Sequence, residues 1–181
     1  MTSSTVARAR TEVDSVVRGE EEQLVVFDLC HEDYGVDISV VREIIRMQPI
    51  TRVPRAPCFV EGLINLRGRV IPVVDLRKRF ELEAGHDEKN NRIVVVNVGN
   101  QDIGMVVDGV TEVLRIPSDC IEPPSAIITN VESEYLVGIA KLSSRLIILL
   151  DLEKVLTNTE KGELVGMSLS DARIGNDGES G

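Results

Sequence analysis

The sequence has few aromatic residues and no tryptophan. Phe and Tyr make up only 3% of its 181 residues, so the core must consist largely of Val, Ile and Leu. Because β-branched side chains suit a pleated, half-buried surface, this composition favours strands over helices. The length fits one ordinary domain, or two small ones that share a core.

Cysteine and histidine are also scarce, which argues against several kinds of chemistry. The three cysteines, Cys30, Cys58 and Cys120, form neither a CxxC pair nor an even disulfide framework. The histidines, His31 and His86, stand in polar stretches without a neighbouring partner, and the motifs HExxH, GxSxG and GxxxxGK[ST] are absent. We therefore expect no metal, no cofactor and no catalytic residues.

Positive charge is outnumbered, since the formal net charge is −10 at pH 7. Affinity for nucleic acid comes mainly from Lys and Arg that neutralise phosphates, so this balance disfavours a nucleic-acid partner. The sequence contains neither the run of about 20 apolar residues that spans a bilayer nor the apolar centre of a signal peptide. We predict a cytoplasmic protein without membrane insertion, with a flexible polar arm over residues 1–20 and a tail over 159–181.

An internal duplication organises the rest of the chain. The segment 24–47 aligns without a gap with 93–116, and "GLINLRGRVIPVVDLRKRF" (62–80) aligns with "GIAKLSSRLIILLDLEKVL" (138–156). This repeat predicts two related subdomains, about 21–88 and 89–158. The aligned pairs include Asp33 with Asp102, Glu43 with Glu112, Arg69 with Arg145, and Asp75 with Asp151.

Each half is predicted to be all-β, with about five short strands. The pattern is a first hairpin with a longer loop ("CHEDYG" or "GNQDIG"), a middle strand, a Pro-containing connection and a second hairpin. An open sheet of that size would leave its edges unpaired, whereas closing into a barrel removes the problem. Asp75 and Asp151 each follow a strand, and we expect them to cap short helices.

The second hairpin of the first half contains an arginine where a small residue would serve a turn better. Gly68 can adopt the positive φ that a tight turn demands, which would place Arg67 exposed at the tip, whereas the second copy has Ser143. Arg67 is therefore a candidate for binding a partner through its fork of donors. Glu43, among apolar residues, is either an outward charge or the partner of an arginine. For Arg77 to Arg79 we favour a solvated rim.

Several of these blocks resemble the CheW family of chemotaxis coupling proteins, over about residues 21–160. The similar motifs are "EDYGVDI" (32–38), "VREI" (41–44), "PCFVEGLINLRGRVIPVVDLR" (57–77), "VDGVTEVL" (107–114) and "EYLVGIAKL" (134–142). The resemblance implies two SH3-like five-stranded β-barrels with short helices. It also implies a non-enzymatic adaptor that couples methyl-accepting chemoreceptors to the histidine kinase CheA, recruited to membrane-associated receptor arrays.

The resemblance further implies which residues face the receptor. Arg67 and Glu43 match family positions near the receptor-binding groove, with Val41 and Gly62 close by, whereas contacts with CheA come from barrel ends that we do not assign to residues. A second hypothesis is an acidic β-barrel that binds a small ligand or RNA. The acidic balance and the lack of aromatic stacking residues count against it. A third, an enzyme, would require catalytic groups in a closed pocket.

Overall fold

Strands dominate the computed structural model, which describes residues 21–82, 88–124, 135–157 and 160–166. The predicted arm, 1–20, lies outside the described residues. The strands form one sheet of six, in the order β8-β1-β2-β11-β10-β9, and one of five, in the order β3-β6-β7-β5-β4. They are β1 (Glu21–Leu29), β2 (Glu32–Asp37), β3 (Val41–Arg46), β4 (Val60–Leu66), β5 (Arg69–Asp75), β6 (Arg92–Val98), β7 (Gln101–Val107), β8 (Gly109–Pro117), β9 (Ile121–Glu122), β10 (Leu136–Lys141) and β11 (Leu146–Leu150).

The central strands are apolar on both faces because each sheet packs on two cores. In β1, Leu24 and Val26 belong to a small cluster within the six-stranded sheet, whereas Val25 and Phe27 belong to a larger cluster shared by both sheets. Strand β6 alternates in the same way between a second small cluster and the shared one. This arrangement explains why "LVVF" and "IVVV" are continuous apolar runs.

Each sheet curls around its own small cluster. The six-stranded sheet brings Ile116 of β8 and Ala140 of β10 into one cluster, although three strands separate these two in the sheet order. Residues of all five strands of the other sheet likewise pack on a single cluster, from Ile45 of β3 to Ile64 of β4. The predicted all-β fold with short helices is therefore confirmed, and of the two predicted five-stranded barrels one has six strands in its sheet.

The two sheets exchange strands between the halves of the chain. The six-stranded sheet combines β1 and β2 with β8 to β11, and the five-stranded sheet combines β3 to β5 with β6 and β7. This corrects the expectation that each half closes a sheet of its own. The reason is a short connection: only Asp108 separates β7 from β8, and a hairpin needs at least two turn residues, so the chain passes to the other sheet. The limits of the halves as domains stay a prediction.

The first hairpins turn more tightly than we predicted. Instead of longer loops, two-residue turns at Cys30–His31 and at Gly99–Asn100 connect the strands, and all four residues have positive φ, between 51° and 67°. Such turns match the right-handed twist of the flanking strands. The sequence "CH" contains none of the usual Asn-Gly signal, which is why the pattern indicated a longer loop.

The ends of the second hairpins agree with the sequence. Asp75 accepts a hydrogen bond from the Arg77 N–H at 2.9 Å and begins the helix Leu76–Arg79. Asp151 accepts one from the Glu153 N–H at 3.0 Å and begins the helix Leu152–Val155. Both predicted caps are confirmed.

The folded chain continues beyond residue 158, where we expected a tail to begin. A helix covers residues 160–166, and Leu164 is buried in the shared cluster. Thr157 Oγ1 accepts a hydrogen bond from the Glu160 N–H, as the side chain of an N-cap residue does. Within the described parts of the chain, the helices are too short or too polar to cross a membrane.

Candidate functional site

The hairpin between β4 and β5 holds Arg67 in an unusual backbone conformation. Arg67 has φ +54° and Gly68 has φ +82°, so both turn residues adopt the left-handed region. Asn65 Oδ1 accepts a hydrogen bond from the Gly68 N–H at 2.9 Å and fixes the turn. Left-handed φ costs a residue with a Cβ about 1–2 kcal/mol. An arginine is thus retained at a position that favours glycine or asparagine.

The Arg67 side chain turns back across the sheet and meets Glu43. Arg67 Nη1 lies 2.8 Å from Glu43 Oε2, and the arginine side chain remains 75% exposed. Of the two alternatives for Glu43, the structure has the pairing with an arginine. The other carboxylate oxygen, Oε1, is buried without a hydrogen-bond partner. Val41 lies two residues before Glu43 at the start of β3, half-buried against the shared cluster.

This ion pair lines one side of a cleft of about 330 Å³ on the five-stranded sheet. A second ion pair lines the cleft, between Arg69 Nη2 and Asp102 Oδ2 at 2.8 Å. Asp102 is largely buried and also accepts a hydrogen bond from Asn97 Nδ2 at 2.9 Å, while Arg42 Nε lies 3.9 Å from Asp102 Oδ1. The cleft therefore carries arginines from β3, β5 and the turn between β4 and β5, whereas Asp102 comes from the other half of the chain.

The second half carries a related cluster with fewer arginines. Arg145, which aligns with Arg69, contacts Glu112 and lies 3.6 Å from Asp33. Asp33 and Glu112 are the counterparts of Asp102 and Glu43. Because Ser143 replaces Arg67, one arginine here lies close to both carboxylates, whereas in the first cluster Arg67 pairs with Glu43 and Arg69 with Asp102.

Gly62 is essential to the backbone of the same sheet. It has φ +143°, and a Cβ placed on it would lie 2.1 Å from the Thr51 carbonyl oxygen. Thr51 and Leu63 form an isolated bridge there, with both hydrogen bonds at 2.8 Å. Gly62 therefore has a structural role of its own, and its predicted contact with a receptor stays a prediction.

The favoured interpretation of Arg77 to Arg79 as a solvated rim is wrong for both arginines. The Arg77 side chain is only 12% exposed, and its Nε lies 3.2 Å from Asp108 Oδ1 and 3.7 Å from Asp75 Oδ1. Burial raises the pKa of Asp75, and the Arg77 guanidinium opposes that shift. Asp108 also accepts a hydrogen bond from the Cys30 N–H at 2.7 Å, so Arg77 ties the hairpins of both halves together.

Arg79 fixes the C-terminal helix. Its Nε donates to the Val155 carbonyl oxygen at 2.9 Å, its Nη2 lies 3.5 Å from Glu160 Oε1, and its guanidinium lies 5.3 Å from the centre of the Phe59 ring. Arg77 and Arg79 are therefore used in internal packing. The sequence pattern indicated a surface position for them because their partners lie far away along the chain.

Four of the five aromatic side chains pack on one another. A continuous row has ring-centre distances of 6.2, 6.3 and 4.8 Å between neighbours. All four rings pack in or against the shared cluster. They therefore offer no open platform for stacking with bases. The row runs in the order Phe27, Tyr34, Phe80 and Tyr135.

Our sequence reasoning missed Arg42, Arg69 and Asp102 as parts of the site. The duplication contained a usable signal, because the acid–arginine pair Asp102 and Arg69 recurs at Asp33 and Arg145. An acid and an arginine that recur together in both copies indicate an ion pair in each barrel. The acid and the arginine of each pair come from opposite halves of the chain, because the two sheets exchange strands. Within the described residues, the acidic, cysteine and histidine side chains form no group of three able to hold a metal ion.

Comparisons with known proteins agree with this architecture. The family model described as "CheW-like domain" matches residues 23–160. The chain is 37% identical to a chemotaxis protein CheW of Klebsiella aerogenes over 139 residues, covering 77% of this chain and 84% of that protein. It is 34% identical to a chemotaxis protein CheW of Treponema pallidum over 160 residues, covering 86% and 94%.

A solved structure is similar as well. The crystal structure of the scaffolding protein TtCheW from Thermoanaerobacter tengcongensis superposes with a TM-score of 0.69 at 40% identity, covering 76% of this chain and 94% of that one. The family match covers both sheets, the cleft and the Arg67–Glu43 pair. On this evidence the chain belongs to the CheW family.

Proposed function

We propose that this chain is a non-enzymatic adaptor of bacterial chemotaxis, which couples methyl-accepting chemoreceptors to the histidine kinase CheA. Membership of the CheW family, with relatives called chemotaxis protein CheW and a structural neighbour called a scaffolding protein, supports the adaptor role. The protein would act in the cytoplasm, recruited to receptor arrays at the membrane.

One observation carries the choice of receptor-binding residues. Arg67 is exposed at a hairpin tip in a backbone conformation that favours glycine, and the aligned turn of the other barrel has a serine. Strained positions that the fold does not need tend to mark functional sites. The exposed guanidinium keeps donors available for a partner, with Glu43 holding one side of it. By the family resemblance, we propose that Val41 on β3 and Gly62 on β4 also belong to the receptor-binding surface, although neither residue lines the cleft.

A reconstitution tests the proposal. The purified chain is mixed with a CheA-type kinase and the cytoplasmic fragment of a methyl-accepting receptor, and both sedimentation of the complex and kinase activity are measured. We expect the chain to join the complex and raise receptor-dependent kinase activity. We expect Arg67→Ala to reduce that activity, and Ser143→Ala, at the aligned turn, to leave it unchanged. Failure of the wild-type chain to join either partner would contradict the adaptor role.

The alternative of an acidic barrel that binds RNA or a small ligand has less support. The row of four aromatic rings is used in internal packing, and the net charge of −10 opposes polyanions. RNA binding at moderate salt by the purified chain, together with absence of binding to the receptor fragment, would favour the alternative over the adaptor role.

A further inference from the structure

The cleft beside Arg67 has a charge opposite in sign to that of the whole protein. It is lined by Arg42, Arg67 and Arg69 but by only two carboxylates, those of Glu43 and Asp102, which leaves one positive charge in excess. The protein as a whole carries −10. A local reversal of this kind attracts groups that the rest of the surface repels.

The arginines of the cleft have donors to spare. Arg42 and Arg69 have side chains 60% and 69% exposed. Each guanidinium carries five N–H donors. Arg69 meets Asp102 through Nη2, and Arg42 approaches the same carboxylate through Nε only at 3.9 Å. The remaining donors have a geometry that suits a carboxylate, which accepts two parallel hydrogen bonds from a guanidinium.

We infer that this cleft binds an acidic side chain of the receptor, through Arg42 and Arg69, and that Asp102 is the positioning residue for both arginines. The inference rests on the proposed function, because it names the chemistry of the same receptor-binding surface. Asp102 is suited to this role because its side chain is only 10% exposed. Asn97 donates to its Oδ1, which leaves Oδ2 to accept from Arg69.

The second barrel provides a natural contrast. Its aligned cluster has Thr111 in place of Arg42 and Ser143 in place of Arg67, so that Arg145 faces both Asp33 and Glu112. This cluster has one negative charge in excess and repels an acidic group. The same fold thus presents two related surfaces of opposite sign, and only the first accepts the acidic side chain, which sets the orientation of the receptor on the adaptor.

Binding kinetics with the full chain test the inference. The cytoplasmic signalling fragment of a methyl-accepting chemoreceptor is immobilised, and association and dissociation rates are measured at low and high salt for wild type, Arg69→Gln, Arg42→Gln and Asp102→Asn. We expect Arg69→Gln and Arg42→Gln to weaken binding by about three- to tenfold, mainly through slower association and with a smaller salt dependence, because each removes a positive charge. Asp102→Asn instead makes the cleft more positive, so we expect association at least as fast as in wild type and dissociation about three- to tenfold faster, because the arginines lose the carboxylate that orients them. Loss of a purely structural contact would leave the salt dependence unchanged.

Matched variants in the second barrel serve as controls. Arg145→Gln and Asp33→Asn alter the aligned ion pair, and we expect receptor binding to keep its wild-type rates and salt dependence. Urea unfolding of every variant separates lost stability from lost contact.

Wild-type salt dependence in both Arg69→Gln and Arg42→Gln would overturn the inference while leaving the adaptor role intact. Tighter binding by Asp102→Asn would show that Asp102 only neutralises the arginines. No binding by the wild-type chain would contradict the proposed function itself, and the inference with it.

Discussion

Arg67 Nη1 and Glu43 Oε2 lie 2.8 Å apart, joining a hairpin tip to the edge strand β3. The arginine side chain is three-quarters exposed, so the pair itself stabilises the fold by no more than about 1 kcal/mol. The backbone at Arg67 has φ +54°, which costs about as much. The two effects nearly cancel, so Arg67 adds little to the stability of the fold.

Replacing Arg67 by glycine and by alanine should separate stability from binding. We expect Arg67→Gly to exceed Arg67→Ala in free energy of unfolding by about 1 kcal/mol, because only glycine adopts the left-handed conformation without strain. Both variants should lose receptor-dependent kinase activity to the same degree, since both lack the guanidinium. Urea denaturation and a reconstituted kinase assay measure the two quantities.

Position 143 provides the control for this comparison. Ser143 is not among the residues with positive φ, so we expect the order to reverse there, with Ser143→Gly less stable than Ser143→Ala by up to about 1 kcal/mol. Neither change should affect kinase activity. Equal stability of the two Arg67 variants would show that the turn relaxes and that the strain at Arg67 is not retained for function.

Alanine substitutions at three glycines should destabilise the protein to different degrees, because the added Cβ meets different surroundings at each position. Gly62→Ala should destabilise the protein by at least about 3 kcal/mol, because its Cβ would lie 2.1 Å from a carbonyl oxygen at φ +143°. Gly138→Ala, with a clash at 2.7 Å, should cost less. Gly68→Ala meets no atom within 4 Å and should cost only the φ penalty of about 1 kcal/mol. Thermal unfolding gives the order, and a Gly62→Ala protein as stable as Gly68→Ala would contradict it.

Local features of the fold could be predicted from the sequence. Asp75 and Asp151 cap helices within two residues of themselves, and the Arg67-Gly68 turn needs only its own dipeptide and Asn65. The presence of strands followed from the apolar runs and the scarcity of aromatic residues. Such features depend on neighbours along the chain, which the sequence displays directly.

Features set by distant contacts could not be predicted in this way. The continuous pattern "MVVDGV" hides the boundary at Asp108 where the chain passes from one sheet to the other. Arg77 looked solvated because its partner Asp108 lies 31 positions later and reaches it only after the sheets exchange strands. Both alternatives for Glu43 stayed open because its partner Arg67 is 24 positions away. Knowledge of the sheet order would have resolved each case.

The pH dependence of the free energy of unfolding should show how much the ionised Asp28 side chain destabilises the fold. Burial raises the pKa of Asp28, and the nearby charge of Asp108 raises it further. Because the pKa of Asp28 is higher in the folded state, its protonated form stabilises the fold. This stabilisation is complete below the unfolded-state pKa of 3.8 and is lost as the pH rises through the folded-state pKa. Asp28→Asn should therefore be more stable than wild type at pH 7, and this advantage should vanish towards pH 3. Urea unfolding at both pH values measures it, and an advantage independent of pH would contradict the assignment.

The C-terminal helix gives a test of where the folded unit ends. Leu164 is 1% exposed and packs in the cluster shared by both sheets, so Leu164→Ala should lower the free energy of unfolding by about 2–4 kcal/mol. Val165, one residue later, is 41% exposed, and Val165→Ala should change it by less than about 0.5 kcal/mol. Arg79→Ala should produce part of the Leu164 effect, because it removes the bonds to Val155 and Glu160 that fix the helix. If Leu164→Ala were as stable as Val165→Ala, residues 160–166 would belong to the tail, as the sequence first indicated.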